Sequence, residues 1–393
     1  MRIAHICLAA FYIDGFGYQE NILPKIHRKM GHEVLIIAST ETYVDKAKLG
    51  YVAPSSYENE DGIPVHRLPY ARWAPRRLRP KIRAYEGLAA HLESFRPDLI
   101  FLHDVQFWDI LTVRNYALSR GIPVHADSHT DHINSARGFV SRRLLHGIFY
   151  RLLLKRADPA IRRYLPTLPV RGDFMREVYG TPADKIDLLP FGFDDTAVAG
   201  IDRAAVREKV RAGLGIPAGD IVLVTGGKLD LRKNIHVLAE RFTQLRRNGA
   251  LPGVHLLVFG KPVPEVEAIV RHMTLDSHVH MTGWIPSANI YGMFWAADLA
   301  IFPGTHSVLW EEAIGHGLGT VFYRWPGMEH LDLGGNARFI DDASPATLDA
   351  LLVDLAANDG AAIRAMGTRA AQEGPKIFSY SAIAEKAITA PIR

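Results

Sequence analysis

The chain has 393 residues, 48% hydrophobic and 22% charged, which is an ordinary globular composition but too long for one ordinary core. No apolar run approaches the roughly 20 residues of a membrane helix, and MRIAHICLAAF at the start has one basic residue and no cleavage pattern, which predicts a buried strand and not a signal peptide. The one cysteine, Cys7, excludes internal disulfides and points to a reducing cytoplasm, and the net charge of +4 is unevenly held, with 27 basic and 22 acidic side chains in residues 1–195.

In chain order, RIAHICLA, EVLIIAS, PVHRLP, DLIFLHD, PVHADSH and IDLLPFG read as strands in the first half. DIVLVTG, VHLLVFG, HVHMTG, LAIFP, TVFY and ARFID follow in the second half. Segments with helical spacing, such as YQENILPKIHRKMG and HVLAERFTQLRRNG, lie between them. Apolar strands separated by helices predict an α/β chain with parallel sheets covered on both faces. The alternation stops over FDDTAVAGIDRAAVREKVRAGLGIPAGD, so the reading is two doubly wound domains, 1–195 and 196–375. From Arg67 to Arg163 there are 18 basic and 8 acidic residues. RWAPRRLRPKIR (72–83) has no acid, and SRRLLHGIFYRLLLKR (141–156) mixes cations with aromatics. These read as solvated surface, or as a patch for an anionic partner such as a membrane surface or a phosphorylated acceptor. No nucleic-acid module accompanies them, which argues against nucleic acid.

Three strand-to-helix loops carry the candidate chemistry. In VTGGKLDLRKN (224–234), Gly226 and Gly227 permit close approach of a ligand, and Lys228, Arg232 and Lys233 make an anion site at a helix start. In AFYIDGFGYQEN (10–21), Gly15 and Gly17 permit a tight turn that could close on the same phosphates. In HSVLWEEAIGHG (306–317), a carboxylate at the strand-to-helix junction could bind both hydroxyls of a ribose. Adjacent helical residues point about 100° apart, so Glu311 and Glu312 do not suit an acid–base pair. The expectation is that one of the two faces the ligand and the other faces solvent.

These motifs together resemble the family 4 glycosyltransferases. GKLDLRKN is similar to the family's G-R-L-x-x-x-K loop, with Lys228 and Lys233 at the two cationic positions. GHEV, LLPFGFDD, VFGKP, MTGWIP and EAIGHGLGTVF look like its further motifs in the same order, and FSYSAIAEKA looks like its closing helix. The resemblance implies a GT-B fold: two Rossmann-like domains facing across a cleft, with 376–393 crossing back to the first. It implies a retaining, metal-independent enzyme without cofactor, moving a sugar from a nucleotide-diphosphate donor, UDP-sugar favoured, to a saccharide or lipid-diphosphate-linked acceptor. Lys228, Lys233 and His129 would be catalytic, and Glu312 would hold the ribose. Gly15, Gly17, Gly227, Gly283, Trp284 and Ile285 would frame the donor, the last three around its base. Tyr18, Asp104 and Asp131 would face the acceptor. One position departs from the pattern. The family has a second acid eight residues before Glu312, where this chain has Gly304 in a loop about three residues short, leaving Thr305, His306 and Ser307 to take over the sugar contact.

Other readings follow from the same residues. HADSHTDH (125–132) resembles the H-x-H-x-D-H metal motif of hydrolases, with Asp127 in the first histidine position. A GT-B epimerase would share the diphosphate site, and a non-catalytic nucleotide-sugar-binding protein would fit the shortened loop.

Overall fold

The structure is a computed structural model that describes residues 1–45, 48–133, 135, 138–273 and 276–389. It divides into two compact units. The first comprises residues 1–190 and the chain from Ile383 onward, and the second comprises Phe191–Ala382.

The first unit is built on β1 (Arg2–Cys7), β2 (Glu33–Ser39), β5 (Ser55–Glu58), β6 (Pro64–Leu68), β7 (Leu99–Leu102), β8 (Val124–Ser128) and β9 (Ile161–Pro166), in the order β5-β6-β2-β1-β7-β8-β9. All neighbours are parallel except β5, an antiparallel edge strand. A separate ribbon pairs β3 (Glu41–Asp45) with β4 (Lys48–Tyr51). The second unit orders β10 (Ile221–Gly226), β11 (Val254–Phe259), β12 (Val279–Gly283), β13 (Leu299–Phe302), β14 (Gly319–Tyr323) and β15 (Ala337–Ile340) as β12-β11-β10-β13-β14-β15, all parallel. Helices cover both faces, which is why β11 and β13 are buried at every position and β1 at all but its first. In both sheets the first strand lies in the middle and the connections leave it in opposite directions. Crevices open at such switch points beyond the carboxyl ends of the strands.

Three expectations are corrected. IDLLPFG forms no strand; only Ile186 bridges to Tyr164, and the edge strand is β9 instead. Its two arginines hid it. Arg163 is buried because its guanidinium pairs with Asp187 and donates to the carbonyls of Lys386 and Thr389 at 2.8 and 2.7 Å. The expected domain limits at 195 and 375 fall at Pro190 and Ala382. Phe193 belongs to the second unit because it exchanges backbone bonds with Phe378 and Tyr380, each 2.9 Å.

Within the first unit, the end of the helix Tyr380–Ile388 is fixed by buried donors. His27 Nε2 donates to the Ala384 carbonyl and His125 Nδ1 to that of Ala387, both at 2.8 Å.

Candidate functional site

In the second unit, the carboxyl ends of β10 and β13 carry two loops that are bonded together. After β10, Gly227 takes φ +112, and Lys228 is exposed, its carbonyl accepting the Asp230 N–H at 3.0 Å and its ammonium without a hydrogen bond among the described residues. Asp230 then caps the turn Leu231–Lys233 by accepting the Arg232 N–H at 3.0 Å. Lys233 reaches across to the loop after β13, where Nζ donates to the carbonyls of Thr305 (2.6 Å) and His306 (3.0 Å). Asn234 bonds the Pro303 carbonyl at 3.0 Å, and the Thr305 N–H bonds the Arg232 carbonyl at 3.1 Å. Burial pulls the Lys233 ammonium down to about 8. Ser307 Oγ is buried without a partner, as is Thr225 Oγ1 near the end of β10. Both hydroxyls could serve an incoming ligand.

The glutamates lie in the helix Leu309–Gly315. Glu311 does not face solvent: it is 0% exposed and accepts from His306 Nε2 at 2.9 and 3.1 Å, with His330 Nε2 3.8 Å away. Burial would raise its carboxyl, yet the imidazoles hold it down to about 2. Glu312 is partly buried, and its side chain has no hydrogen bond among the described residues. Burial, reinforced by the charge of Glu311, lifts it to about 8. His330 is a neighbour that sequence reasoning missed, since nothing in the chain announces that a residue nineteen positions on returns to Glu311.

Two glycine assignments change. Gly226 does not open space for a ligand, because a Cβ there would meet the Phe259 ring at 2.6 Å. Gly227 and Gly260 are the close approach, with the Gly260 Cβ position only 1.8 Å from the Gly227 carbonyl oxygen. Gly260 N–H in turn donates to the Gly283 carbonyl at 2.7 Å, so the glycines just past β10 and β11 and at the end of β12 stand side by side. Gly283 takes φ +71, Trp284 is 69% exposed and Ile285 partly buried. Arg232 is exposed and paired with Asp230 at 2.8 Å, so its charge is already compensated. Gly304 explains the missing acid: a Cβ would lie 2.3 Å from the Arg232 carbonyl oxygen and 2.5 Å from Lys233 backbone atoms. No side chain fits where this chain stitches its two loops.

In the first unit, the ends of β7 and β8 collect His103, Asp104, Asp127 and His129. Asp127 is fully buried and accepts from His103 Nδ1 at 2.9 Å and from the Asp104 N–H at 2.8 Å. His129 Nε2 lies 3.5 Å from Asp127 and 4.0 Å from Glu20 of the first helix. Burial lowers the His129 imidazole, but these carboxylates carry it up to about 9. At neutral pH it is a cationic donor. Behind it runs a line of buried imidazoles, His103 to His5 to His27, with each nitrogen pair 3.0 Å apart. The line ends on the Ala384 carbonyl, which can only accept. That end makes His27 Nε2 a donor, and burial pushes the His27 and His5 imidazoles down. Asp127 stands between two imidazole donors. The polar pair HD closing an apolar strand was the signal for His103.

The expected acceptor residues are only partly available. Asp104 accepts from Gln106 Nε2 (2.8 Å), Thr130 Oγ1 (3.0 Å) and Ser128 Oγ (3.3 Å), so its carboxylate is occupied within the unit. Asp131 pairs with Arg171 at 3.3 Å. Tyr18 is 44% exposed beside Phe16, Gly15 takes φ +73 with its N–H on Glu60 at 2.9 Å, and Gly17 has open space around it. The imidazoles of HADSHTDH do not point to one place. His125 bonds the terminal helix, His132 packs edge-on against Phe174, and among the described residues no three potential ligands converge.

Comparison with known proteins supplies the family. A glycosyl transferase 4-like domain matches residues 26–192, and the glycosyl transferases group 1 domain matches residues 206–319. Mannosylfructose-phosphate synthase of Agrobacterium fabrum is 26% identical over 158 residues, 38% of this chain. The match spans 34%, about a third, of the length of that curated relative. Sucrose-phosphate synthase from Thermosynechococcus elongatus superposes with a TM-score of 0.64 at 17% identity, over 98% of this chain and 96% of its own. HepE from Anabaena, in complex with UDP, gives 0.66 at 15% identity over 98% of each chain. At such identities the likeness concerns the fold, which is GT-B. With two glycosyltransferase domains matched in tandem over well more than half its length, on two Rossmann-like units, the chain belongs to the group 1, or family 4, glycosyltransferases.

Proposed function

We propose that the protein transfers a hexosyl or N-acetylhexosaminyl group, with retention of configuration and without a metal, from a UDP-sugar to a saccharide or lipid-linked acceptor in the cytoplasm. The natural setting for such a step is assembly of a bacterial polysaccharide or glycoconjugate. The observation that carries this reading is Glu312, a partly buried carboxyl with no hydrogen bond among the described residues, on a helix whose Leu309 packs against Gly227. A ribose diol supplies the partners it lacks. Lys228 and Lys233 would neutralise the diphosphate as the anomeric C–O bond breaks and its electron pair leaves with the phosphate. Such electrostatic assistance is worth about 3–4 kcal/mol per group. The acceptor hydroxyl oxygen forms the new bond. Its proton leaves with the diphosphate, since His129 is already protonated at neutral pH and serves as a donor. Uridine is favoured because HepE is recorded with UDP.

The test is thermal stabilisation of the whole protein by UDP, GDP, CDP, TDP and ADP, each with and without EDTA. Selective, EDTA-insensitive stabilisation by UDP is expected, since saturation at 100 times the dissociation constant adds about 2.7 kcal/mol. No response to any nucleotide would end the reading. Gly304 favours one rival, a protein that binds the donor without turning it over, because the sugar contact expected there has no room. UDP binding with no product from any UDP-sugar and acceptor pair would select that rival.

A further inference from the structure

The two basic segments of the first unit are joined in the fold. Trp73, from the acid-free run 72–83, packs edge-on against Trp108 at 5.5 Å, and Trp108 stacks on Phe149 at 6.3 Å. Tyr150 donates to the Lys81 carbonyl. The helical run Ser141–Tyr150 and Arg151–Ala157 buries His146, Tyr150, Leu153, Leu154 and Ala157 on one side. On its other side Val140, Leu144, Ile148 and Leu152 recur at every fourth position, and all four are exposed. Phe139, just before them, is 76% exposed. A helix that has already buried one face leaves this second apolar stripe with no core to serve.

The stripe is bordered by cations. Arg142, Arg143, Arg151 and Lys155 are exposed, and residues 141–156 contain no acid. Trp73 and Trp108 extend the exposed apolar surface at its side.

We propose that this face docks on an anionic lipid bilayer, with the apolar stripe in the headgroup and acyl boundary and the arginines on lipid phosphates. The composition is that of an interfacial helix: apolar residues on one line, long basic side chains that can reach outward beside them, and tryptophans at the border. A protein-binding surface is poorer in lysine and carries its charges at the rim, away from so continuous a row of aliphatic residues. Among the described residues no helix is long and apolar enough to cross a membrane, so the contact lies in the membrane plane. The inference goes beyond the transferase reading and does not depend on it.

The experiment is co-sedimentation of the full chain with vesicles of phosphatidylglycerol and phosphatidylcholine, or of phosphatidylcholine alone, at low and high salt. Two variants accompany it, Leu144→Glu with Ile148→Glu, and Arg142→Glu with Arg143→Glu. All four positions are exposed, so unfolding is not expected, and melting temperature with and without UDP is recorded for each. Expected are pelleting with the anionic vesicles only, loss in high salt, and at least a tenfold weaker association for both variants at unchanged melting temperature. Equal behaviour with both lipids, no association at low salt, or association unaffected by either variant would overturn the proposal. Self-association abolished by Leu144→Glu with Ile148→Glu, without vesicle binding, would assign the face to a second copy of the chain. A normal response to UDP alongside any of these failures would leave the transferase reading standing.

Discussion

Glu311 and Glu312 are neighbours with the same side chain, and their surroundings drive them in opposite directions. Glu311 has an imidazole on its oxygens and a second nearby, which offset the cost of burial. Glu312 has only burial and the negative charge next door, and its carboxyl rises to about 8. A folded-state value above the unfolded one means that the native protein holds this proton more tightly between roughly pH 4.5 and 8. Stability from this group is therefore full below the lower value and lost as pH rises to 8. Glu312→Gln is expected to stabilise the ligand-free protein by about 1 kcal/mol or more at pH 8.5, with the gain fading towards pH 4.5. Glu312→Ala is expected to weaken UDP and UDP-sugar alike, at least tenfold, because the ribose contact is common to both. Urea melts at the two pH values and titration calorimetry check these points. Lost turnover with unchanged UDP affinity would instead make Glu312 a catalytic carboxylate.

At the scale of elements, the site rests on two loops held in one register by Lys233, Asn234 and Thr305. Gly304 is the closest point of that join. Gly304→Ala drives a Cβ into backbone of the 231–233 turn and is expected to cost about 1–3 kcal/mol. It should also weaken UDP binding by displacing Lys233. Gly17→Ala has open space and no positive φ, so it should be nearly silent in the same melts. Equal effects would mean that the join does not position the lysine. Strand elements of this kind were legible in the sequence because a sheet covered on both faces demands apolar runs, and eleven of the runs read from it became parallel strands. β9 was not legible, since Arg163 is buried through partners 24 and more than 200 residues away. The burial of Glu311 was equally hidden. It depends on His306 and His330, and no local spacing reveals which side chains will neutralise a carboxylate. Gly304 could be seen as a departure, but only packing shows that the position excludes any side chain.

For the whole molecule, the two units set their ionisable groups to different pH ranges. In the second unit Lys233 loses its proton near 8 and Glu312 gains a charge near 8. Between pH 7 and 9 that site therefore loses one positive charge and acquires one negative charge, and both changes oppose a diphosphate. In the first unit His129 keeps most of its proton until about 9, because Asp127 and Glu20 hold it. Donor binding should thus fail before the imidazolium of the first unit titrates. If both groups of the second unit must be in their low-pH forms, UDP affinity falls by about one order of magnitude per group per pH unit above 8. The dissociation constant is then expected to rise about a hundredfold from pH 7 to 9, with melting temperature recorded alongside to exclude unfolding. Glu312→Gln removes one of the two titrations, so its rise should be about tenfold over the same range. A flat profile in the parent protein would mean that the titration of neither group is felt by the bound nucleotide. Equal slopes in parent and variant would confine the pH dependence to Lys233 and place Glu312 outside the nucleotide site.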